Sequence, residues 1–319
     1  PKYIILINKY YVIQVKMRIA IIGGAGFVGI NLYFLLKKKK IFLKIIDNLS
    51  VKKNYKYIDK KDLIRCDITN YIRLKNALKN FDVIINLAGQ TGVLESNLKP
   101  TYCLKQNIIG YSNILNIASK MRGKVTIINA STAGAIYGEN KKICKEDEVK
   151  KPLSYYGLTK KFNEELSEIF NKLYKIKVIN LRFSNIYGEF SAHKKSLIHT
   201  AINNSIKKKV IKIFGNGSQT RDFIYVQDLV KIIFKSIKLG HGSYNLASGK
   251  SKSVNFVLDK IKNISGNLYI KHLKKNKSEV KDVQISNMKI KKSLKINNNF
   301  YTDLETGILK TFQWYKKFN

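Results

Sequence analysis

"RIAIIGGAGFVG", residues 18–29, decides how the rest of the chain is read. Its first half is an unbroken apolar run without polar alternation, the pattern of a strand covered on both faces. Its second half is glycine-rich: Gly24, Gly26 and Gly29 satisfy G-x-G-x-x-G, and Gly23, Gly26 and Gly29 satisfy G-x-x-G-x-x-G. Glycine is needed where the backbone turns sharply and where a pyrophosphate approaches the main chain. A helix predicted over 27–39 would present its unpaired N–H groups and partial positive charge to that pyrophosphate. A strand, a glycine turn and a helix in this order predict a parallel sheet wrapped by helices.

The same alternation continues outward. Strands are expected at 18–24, 41–47, 62–68, 82–88, 124–130 and 177–183, with helices near 27–39, 70–80, 100–121 and 155–174. The fold class is therefore α/β, a Rossmann-type doubly wound parallel sheet. After residue 184 the pattern turns irregular, with shorter helices near 192–208, 226–238, 253–264, 286–294 and 303–317. This part reads as a smaller, mixed α/β substrate-binding region. The expected division is an N-terminal extension over 1–16, a dinucleotide-binding domain over 17–183 that also receives parts of 219–246, and a substrate region over 184–319.

Asp47 ends the second strand of that domain eighteen residues after Gly29. A carboxylate there can accept hydrogen bonds from both ribose hydroxyls and repel a 2′-phosphate, which favours NAD over NADP. Its alternative is a strand-end turn aspartate. Asp67, after the third strand, is placed either to cap the next helix or to touch the adenine.

Composition removes several other classes. At 319 residues and 45% hydrophobic, the chain has ample core and is neither fibrous nor disordered. The formal net charge of +39 comes from lysines spread end to end, with arginine at six positions. This reads as a solvated lysine surface, nonspecific polyanion binding being the other reading, with no specific nucleic-acid partner. Three cysteines without CxxC spacing suit a reduced, cytoplasmic protein. Four histidines without HExxH or HxxxH spacing give no metal site. The apolar N-terminus "PKYIILINKYYVIQVK" is interrupted by Lys2, Lys9 and Lys16 and is too short to span a bilayer, so no membrane role is expected.

In "PLSYYGLTKKF" (152–162), Tyr156 precedes Lys160 by four residues. Tyr33/Lys37, Tyr57/Lys61, Tyr71/Lys75 and Tyr137/Lys141 share that spacing, so the pair alone carries little. Its context carries more. "GGAGFVG", "DNLS" (47–50), "NLAGQ" (86–90), "STAGAIYGE" (131–139), "YYGLTK" (155–160), "LRFSNIYG" (181–188) and "GNGSQTRDFIYVQDLV" (215–230) follow one another in order. On these motifs the chain resembles the extended short-chain dehydrogenases/reductases, in particular the NAD-dependent epimerases and dehydratases acting on nucleotide sugars. The resemblance runs from Met17 to the end.

The resemblance implies a bound NAD held by Gly23, Gly26, Phe27, Val28, Gly29, Asp47, Asn48, Asp67, Ile68, Leu87, Ala88 and Gly89, with Tyr156 and Lys160 at its nicotinamide end. It makes Tyr156 the base and Lys160 its cationic neighbour. One helical turn apart, they share a face, and a nearby ammonium together with oxidised nicotinamide should pull the phenol from near 10 toward neutrality. A hydroxyl shares the work. The usual position, five before Gly138, is Ala133, so Thr132 takes the role with Ser131 in reserve. Asn185 and Arg221 match positions that hold the nucleotide diphosphate. A second arginine expected near 274–280 is replaced by "KKNKSEV", where Lys275 or Lys277 would have to serve.

Related 4,6-dehydratases carry an Asp–Glu pair where this chain has Gly134 and Ala135. Without that acid/base, elimination of water would be slow. The expected activity is therefore epimerisation of a nucleotide-diphosphate sugar of the UDP-glucose/UDP-galactose type, by transient oxidation at C4 and hydride return to the opposite face. A 4-ketoreductase, 2-epimerase, decarboxylase or 4,6-dehydratase on the same scaffold stands as the alternative, and a non-enzymatic NAD-binding basic protein as a further one. The family implies a homodimer through the helices near 100–121 and 155–174.

Overall fold

The computed structural model describes residues 2–7, 11–51, 54–121, 125–139, 143–274 and 282–318, with the backbone alone for the two N-terminal strands. Those strands, β1 (Lys2–Ile7) and β2 (Tyr11–Lys16), pair antiparallel with each other. The main body is a seven-stranded sheet formed by β3 (Arg18–Ile22), β4 (Phe42–Asp47), β5 (Leu63–Arg65), β6 (Val83–Asn86), β7 (Thr126–Thr132), β8 (Lys177–Phe183) and β12 (Gly242–Leu246). Its order is β12-β8-β7-β6-β3-β4-β5, and every pairing is parallel. The order reverses between β3 and β6, the place where ligands settle in open α/β sheets.

Successive residues of these strands feed opposite cores. Ile19 and Ile21 join one buried cluster while Ala20 and Ile22 join the other. Burial on both faces explains why the strands read as continuous apolar runs. Helices α1 (Phe27–Lys38) and α9 (Val226–Ser236) pack on one face. Helices α2 (Tyr71–Ala77) and α5 (Gly110–Ser119) cover the other.

The crossover from β6 to β7 begins with α3 (Val93–Leu98) and continues through α4 (Pro100–Leu104), a π-helical turn at Lys105–Ile109, and α5. A short α6 (Ala133–Ile136) follows β7, and the long α7 (Tyr155–Tyr174) precedes β8. Ser154 caps α7 by accepting the Gly157 N–H at 3.1 Å, and Lys175 ends it in the left-handed region at φ 55°.

The C-terminal side holds more strand than its irregular pattern suggests. β9 (Asn185–Tyr187), β11 (Thr220–Tyr225) and β13 (Ser251–Ser253) form a mixed three-stranded sheet, and β10 (Val210–Phe214) pairs in parallel with β14 (Tyr269–Leu273). Helices α8 (Leu197–Ile206), α10 (Val254–Ser265), α11 (Met288–Leu294) and α12 (Leu304–Phe318) complete it. These strands have three to six residues, too few for periodicity to declare them. Among the described residues no helix is long and apolar enough to cross a membrane.

Candidate active site

Both glycine spacings have structural force, since a Cβ on Gly24 would stand 2.4 Å from Ile45 Cδ1 and one on Gly29 2.4 Å from Gly24 Cα. Gly23 lies at φ +76°, and a Cβ there would stand 2.6 Å from the Ala88 backbone nitrogen. A side chain would therefore force apart the ends of β3 and β6. Gly26 is the N-cap of α1 and makes no side-chain capping bond. A Cβ on Gly26 would meet only the Gly23 carbonyl oxygen, at 3.2 Å, so the space before the helix is open. No acidic residue occupies the first turn of α1.

Asp47 at the end of β4 does two things at once. Its Oδ2 accepts the Ala25 N–H at 3.0 Å, bracing the glycine turn, and its Oδ1 accepts the Leu49 N–H at 2.7 Å. The strand-end turn expected as the alternative therefore exists alongside the open lone pairs that a ribose would use. Burial pushes the carboxyl above its ordinary value, against these two backbone bonds. Asn48 donates to Asp67 Oδ2 at 2.9 Å, so the two acidic loops are tied together.

The capping role considered for Asp67 is not realised. Asn70 caps α2, accepting the Arg73 N–H at 3.0 Å, while Asp67 Oδ1 accepts from the Thr69 N–H and hydroxyl, each at 2.8 Å. An aspartate three residues before the cap closes its own turn first. Burial works to raise its carboxyl, but the Asn48 and Thr69 hydrogen bonds hold it below the ordinary range.

Tyr156 lies in the first turn of α7, and Gly157 explains how α6 comes close to it. A Cβ on Gly157 would lie 2.3 Å from the Ala135 carbonyl oxygen, so the glycine lets α6 press against the first turn of α7. The Thr132 side chain lies close enough to the Tyr156 phenol to pull its pKa downward. Thr132 Oγ1 also accepts the Ala135 N–H at 3.4 Å. Ser131 points elsewhere: its hydroxyl donates to Glu164 Oε1 at 2.7 Å. Glu164 is gripped by Arg182 through Nε to Oε1 at 2.9 Å and Nη2 to Oε2 at 2.7 Å.

Lys160 Nζ donates to the Ala130 carbonyl at 2.8 Å and lies 5.8 Å from the Tyr156 ring centroid. A Cβ on Gly89 would stand 3.8 Å from that ammonium, so the turn after β6 passes directly beside it. The depression expected for the phenol is not a property of the folded chain alone. Burial disfavours the phenolate and pushes Tyr156 up to about 12, outweighing the downward pull of the Thr132 side chain. Burial also pulls Lys160 down to about 8, weakening the ammonium that was to favour the phenolate.

Asn107 was not singled out from the sequence, yet it joins these parts. It sits in the π-helical turn, where its Oδ1 accepts the Gln90 N–H at 2.8 Å. Its Nδ2 donates to the Gln90 carbonyl and to Thr159 Oγ1, both at 3.0 Å, and its carbonyl accepts Asn163 Nδ2 at 3.0 Å. The turn beside Lys160 is thereby clamped to α7. A mid-helix asparagine with low helix propensity was the available signal, and π-helical turns collect at functional sites.

On the C-terminal side, Asn185 and Arg221 line one cavity of about 370 Å³ together with Leu197, Ile213, Phe214 and Phe223. Asn185 Nδ2 donates to the Asp222 carbonyl at 3.1 Å, and Arg221 Nη1 donates to the Thr220 carbonyl at 2.8 Å. Apolar walls with an amide and a guanidinium suit a nucleotide diphosphate. The apolar wall from β10 was missed because that strand was not recognised. Lys275 and Lys277 lie outside the described residues. Among the described residues, no three His, Cys, Asp or Glu side chains gather as for a metal ion.

Residues 19–247 match the NAD dependent epimerase/dehydratase family. The chain belongs to that family. A Methanocaldococcus jannaschii protein described as "Putative UDP-glucose 4-epimerase" is 33% identical over 305 residues, covering 94% of this chain and 99% of that protein. A UDP-glucuronate 4-epimerase of Thermodesulfobacterium geofontis is 29% identical, covering 92% of this chain and 95% of its own length. Among solved structures, the Thermotoga maritima UDP-glucose 4-epimerase with UDP-glucose has a TM-score of 0.88 at 28% identity, covering 95% of this chain and 99% of that one.

The residues of this epimerase/dehydratase family member fit the family's NAD. The open space at Gly26 and the uncapped start of α1 suit a pyrophosphate. Asp47 offers acceptors at the end of β4, the position of the ribose-binding acid in this fold.

Proposed function

We propose that this protein is an NAD-dependent nucleotide-sugar 4-epimerase of the UDP-glucose/UDP-galactose type. The reading is carried by one juxtaposition: the Tyr156 phenol lies beside the Thr132 side chain and shares a helix face with Lys160, while Gly134 and Ala135 place no acid beside them. Tyr156 takes the proton of the C4 hydroxyl and returns it after the sugar has turned over. Thr132 orients that hydroxyl, and Lys160 keeps positive charge near the phenol and binds ribose. Asn185 and Arg221 hold the diphosphate, so the nucleotide stays anchored while the sugar re-presents its other face. Bound NAD supplies the two-electron exchange and, when oxidised, a positive charge that favours the phenolate. Names of relatives that act on UDP-glucose and UDP-glucuronate support this substrate class.

The test is incubation of the purified protein with UDP-galactose, UDP-glucose or UDP-glucuronate, without added cofactor, followed by resolution of the products. Interconversion of 4-epimers is expected. A requirement for added NADPH, with a reduced sugar as product, would overturn the reading in favour of a ketoreductase.

A homodimer is part of the proposal. Helix α7 turns its polar face inward, burying Thr159, Lys160, Asn163, Glu164 and Ser167. At about 100° per residue, Leu158, Phe162, Ile169 and Leu173 fall on the opposite face, exposed by 48%, 42%, 52% and 67%. Leu94 and Leu98 of α3 extend that apolar surface. A second copy of the same surface is the cover that this stripe calls for.

A further inference from the structure

Helix α7 carries a second buried ionic group one turn beyond Lys160. Glu164 follows Lys160 by four residues, and both side chains lie on the inward face of the helix. Both grip the end of β7, where Thr132 stands. Lys160 Nζ donates to the Ala130 carbonyl at 2.8 Å, and Glu164 Oε1 accepts the Ser131 hydroxyl at 2.7 Å.

Arg182 of β8 closes this arrangement. Its guanidinium meets both oxygens of Glu164, and its Nη1 donates to the Tyr137 hydroxyl at 2.6 Å and the Glu146 carbonyl at 2.9 Å. Tyr137 in turn donates to Asn245 Oδ1 of β12 at 2.7 Å. One carboxylate thus ties α7 to β7, to β8 and to the segment after α6. Burying such an ion pair costs desolvation, and apolar residues of similar volume often serve stability as well. Stability alone therefore does not account for an acid at this place.

Charge gives the acid a second effect. The titratable groups facing Lys160 are Tyr156 and Glu164 of α7 and Cys103 of α4, while Arg182 of β8 and Lys150 act on it through Glu164. Strand β7 and the turn at Gly89 carry no titratable side chain. Burial pushes the Cys103 thiol up, so it stays neutral. Burial works to raise the Glu164 carboxyl too, but Arg182 holds it below its ordinary range. Glu164 is therefore the standing negative charge beside an ammonium that burial pulls down to about 8.

We propose that Glu164, held by Arg182, is a positioning residue for Lys160: it fixes α7 against the end of β7 and supplies the buried negative charge that keeps Lys160 an ammonium. This rests on the role given to Lys160 in the epimerase reading above.

The test is the pH dependence of Glu164→Gln, which keeps the shape and an acceptor for Ser131 but removes the charge. Two quantities are followed: turnover with UDP-galactose, UDP-glucose or UDP-glucuronate, and affinity for NAD by fluorescence titration. In the wild type both should fall on the alkaline side as Lys160 loses its proton. Without the carboxylate the ammonium is less favoured, so in Glu164→Gln both falls should begin about one pH unit lower, the size of a neighbouring charge's effect. Glu164→Asp should move them back toward the wild type. A purely structural residue would lower the melting temperature and leave both falls where they were, and that result overturns the proposal, as does a wild type with no alkaline fall in either quantity. If Glu164→Gln does not fold, the paired variant Glu164→Gln/Arg182→Met leaves no buried ion unpaired and is read in the same way. A wild type that binds NAD but converts none of the UDP sugars overturns the epimerase reading, and the NAD titration then decides the role of Glu164 by itself.

Discussion

Ser131 and Glu164 are joined by a 2.7 Å hydrogen bond beneath the candidate active site, while the side chain of Thr132, one residue on, lies beside the Tyr156 phenol. Adjacent residues of one strand point to opposite faces. Neighbouring hydroxyls that look interchangeable in sequence are thereby given separate work.

Substituting each hydroxyl should separate those tasks. Thr132→Val is expected to lower turnover by about 10²–10⁴-fold, the range for a lost proton-transfer partner, with little change in melting temperature. Ser131→Ala should retain turnover within a few-fold and cost about 1 kcal/mol of stability. Steady-state kinetics and thermal unfolding of both variants check this. The opposite pattern would move the role to Ser131.

Glu164 is nearly inaccessible and shares its oxygens with Arg182, Ser131 and Lys150. Glu164→Ala leaves Arg182 buried without its carboxylate, and a loss of about 3–5 kcal/mol is expected. Burial works to raise this carboxyl, but Arg182 and then Ser131 hold it below its ordinary range. The sign follows: its contribution is complete above the unfolded glutamate value of about 4.3 and disappears as pH falls through the lower folded value. Denaturant midpoints between pH 7 and pH 3 should therefore fall more steeply in the wild type than in Glu164→Gln.

Asp47 braces the glycine turn by accepting the Ala25 N–H, and in the proposed reading it also binds the ribose. Asp47→Ala should weaken NAD binding by about tenfold or more, as loss of hydrogen bonds to a charged acceptor predicts. It should also narrow the preference for NAD over NADP, because the repulsion of a 2′-phosphate goes with the carboxylate. Fluorescence titration with both cofactors measures the two effects together. Unchanged NAD affinity would leave Asp47 with only its turn-bracing role.

The α7 stripe gives the oligomer prediction. A lysine at Leu158, which is 48% exposed, adds a charge to the centre of an apolar surface without touching the buried polar face. Leu158→Lys should behave as a monomer in light scattering under conditions where the wild type is a dimer. A monomeric wild type would remove the dimer from the proposal.

Much of this site was legible because its local rules act over short distances. The glycine turn, the acid at the end of β4 and the four-residue spacing of Tyr156 and Lys160 depend on backbone geometry within one strand–helix unit. Asn107 was not legible. Its significance comes from Gln90, seventeen residues earlier, and Thr159, fifty-two residues later. Nor did sequence spacing foretell that burial would raise the phenol, since desolvation depends on what packs around it rather than on its helix neighbour.

The amino-acid order alone determined the doubly wound sheet and the glycine turn, and its ordered motifs pointed to Tyr156 and Lys160 as the candidate pair, because strand burial, glycine conformations and helix pitch are properties of contiguous residues. Tertiary structure alone decided how Ser131 and Asp67 are used, how Asn107 clamps the turn after β6 to α7, and that Lys194 reaches Thr91. Those outcomes depend on contacts between residues distant in the chain, which no local pattern encodes.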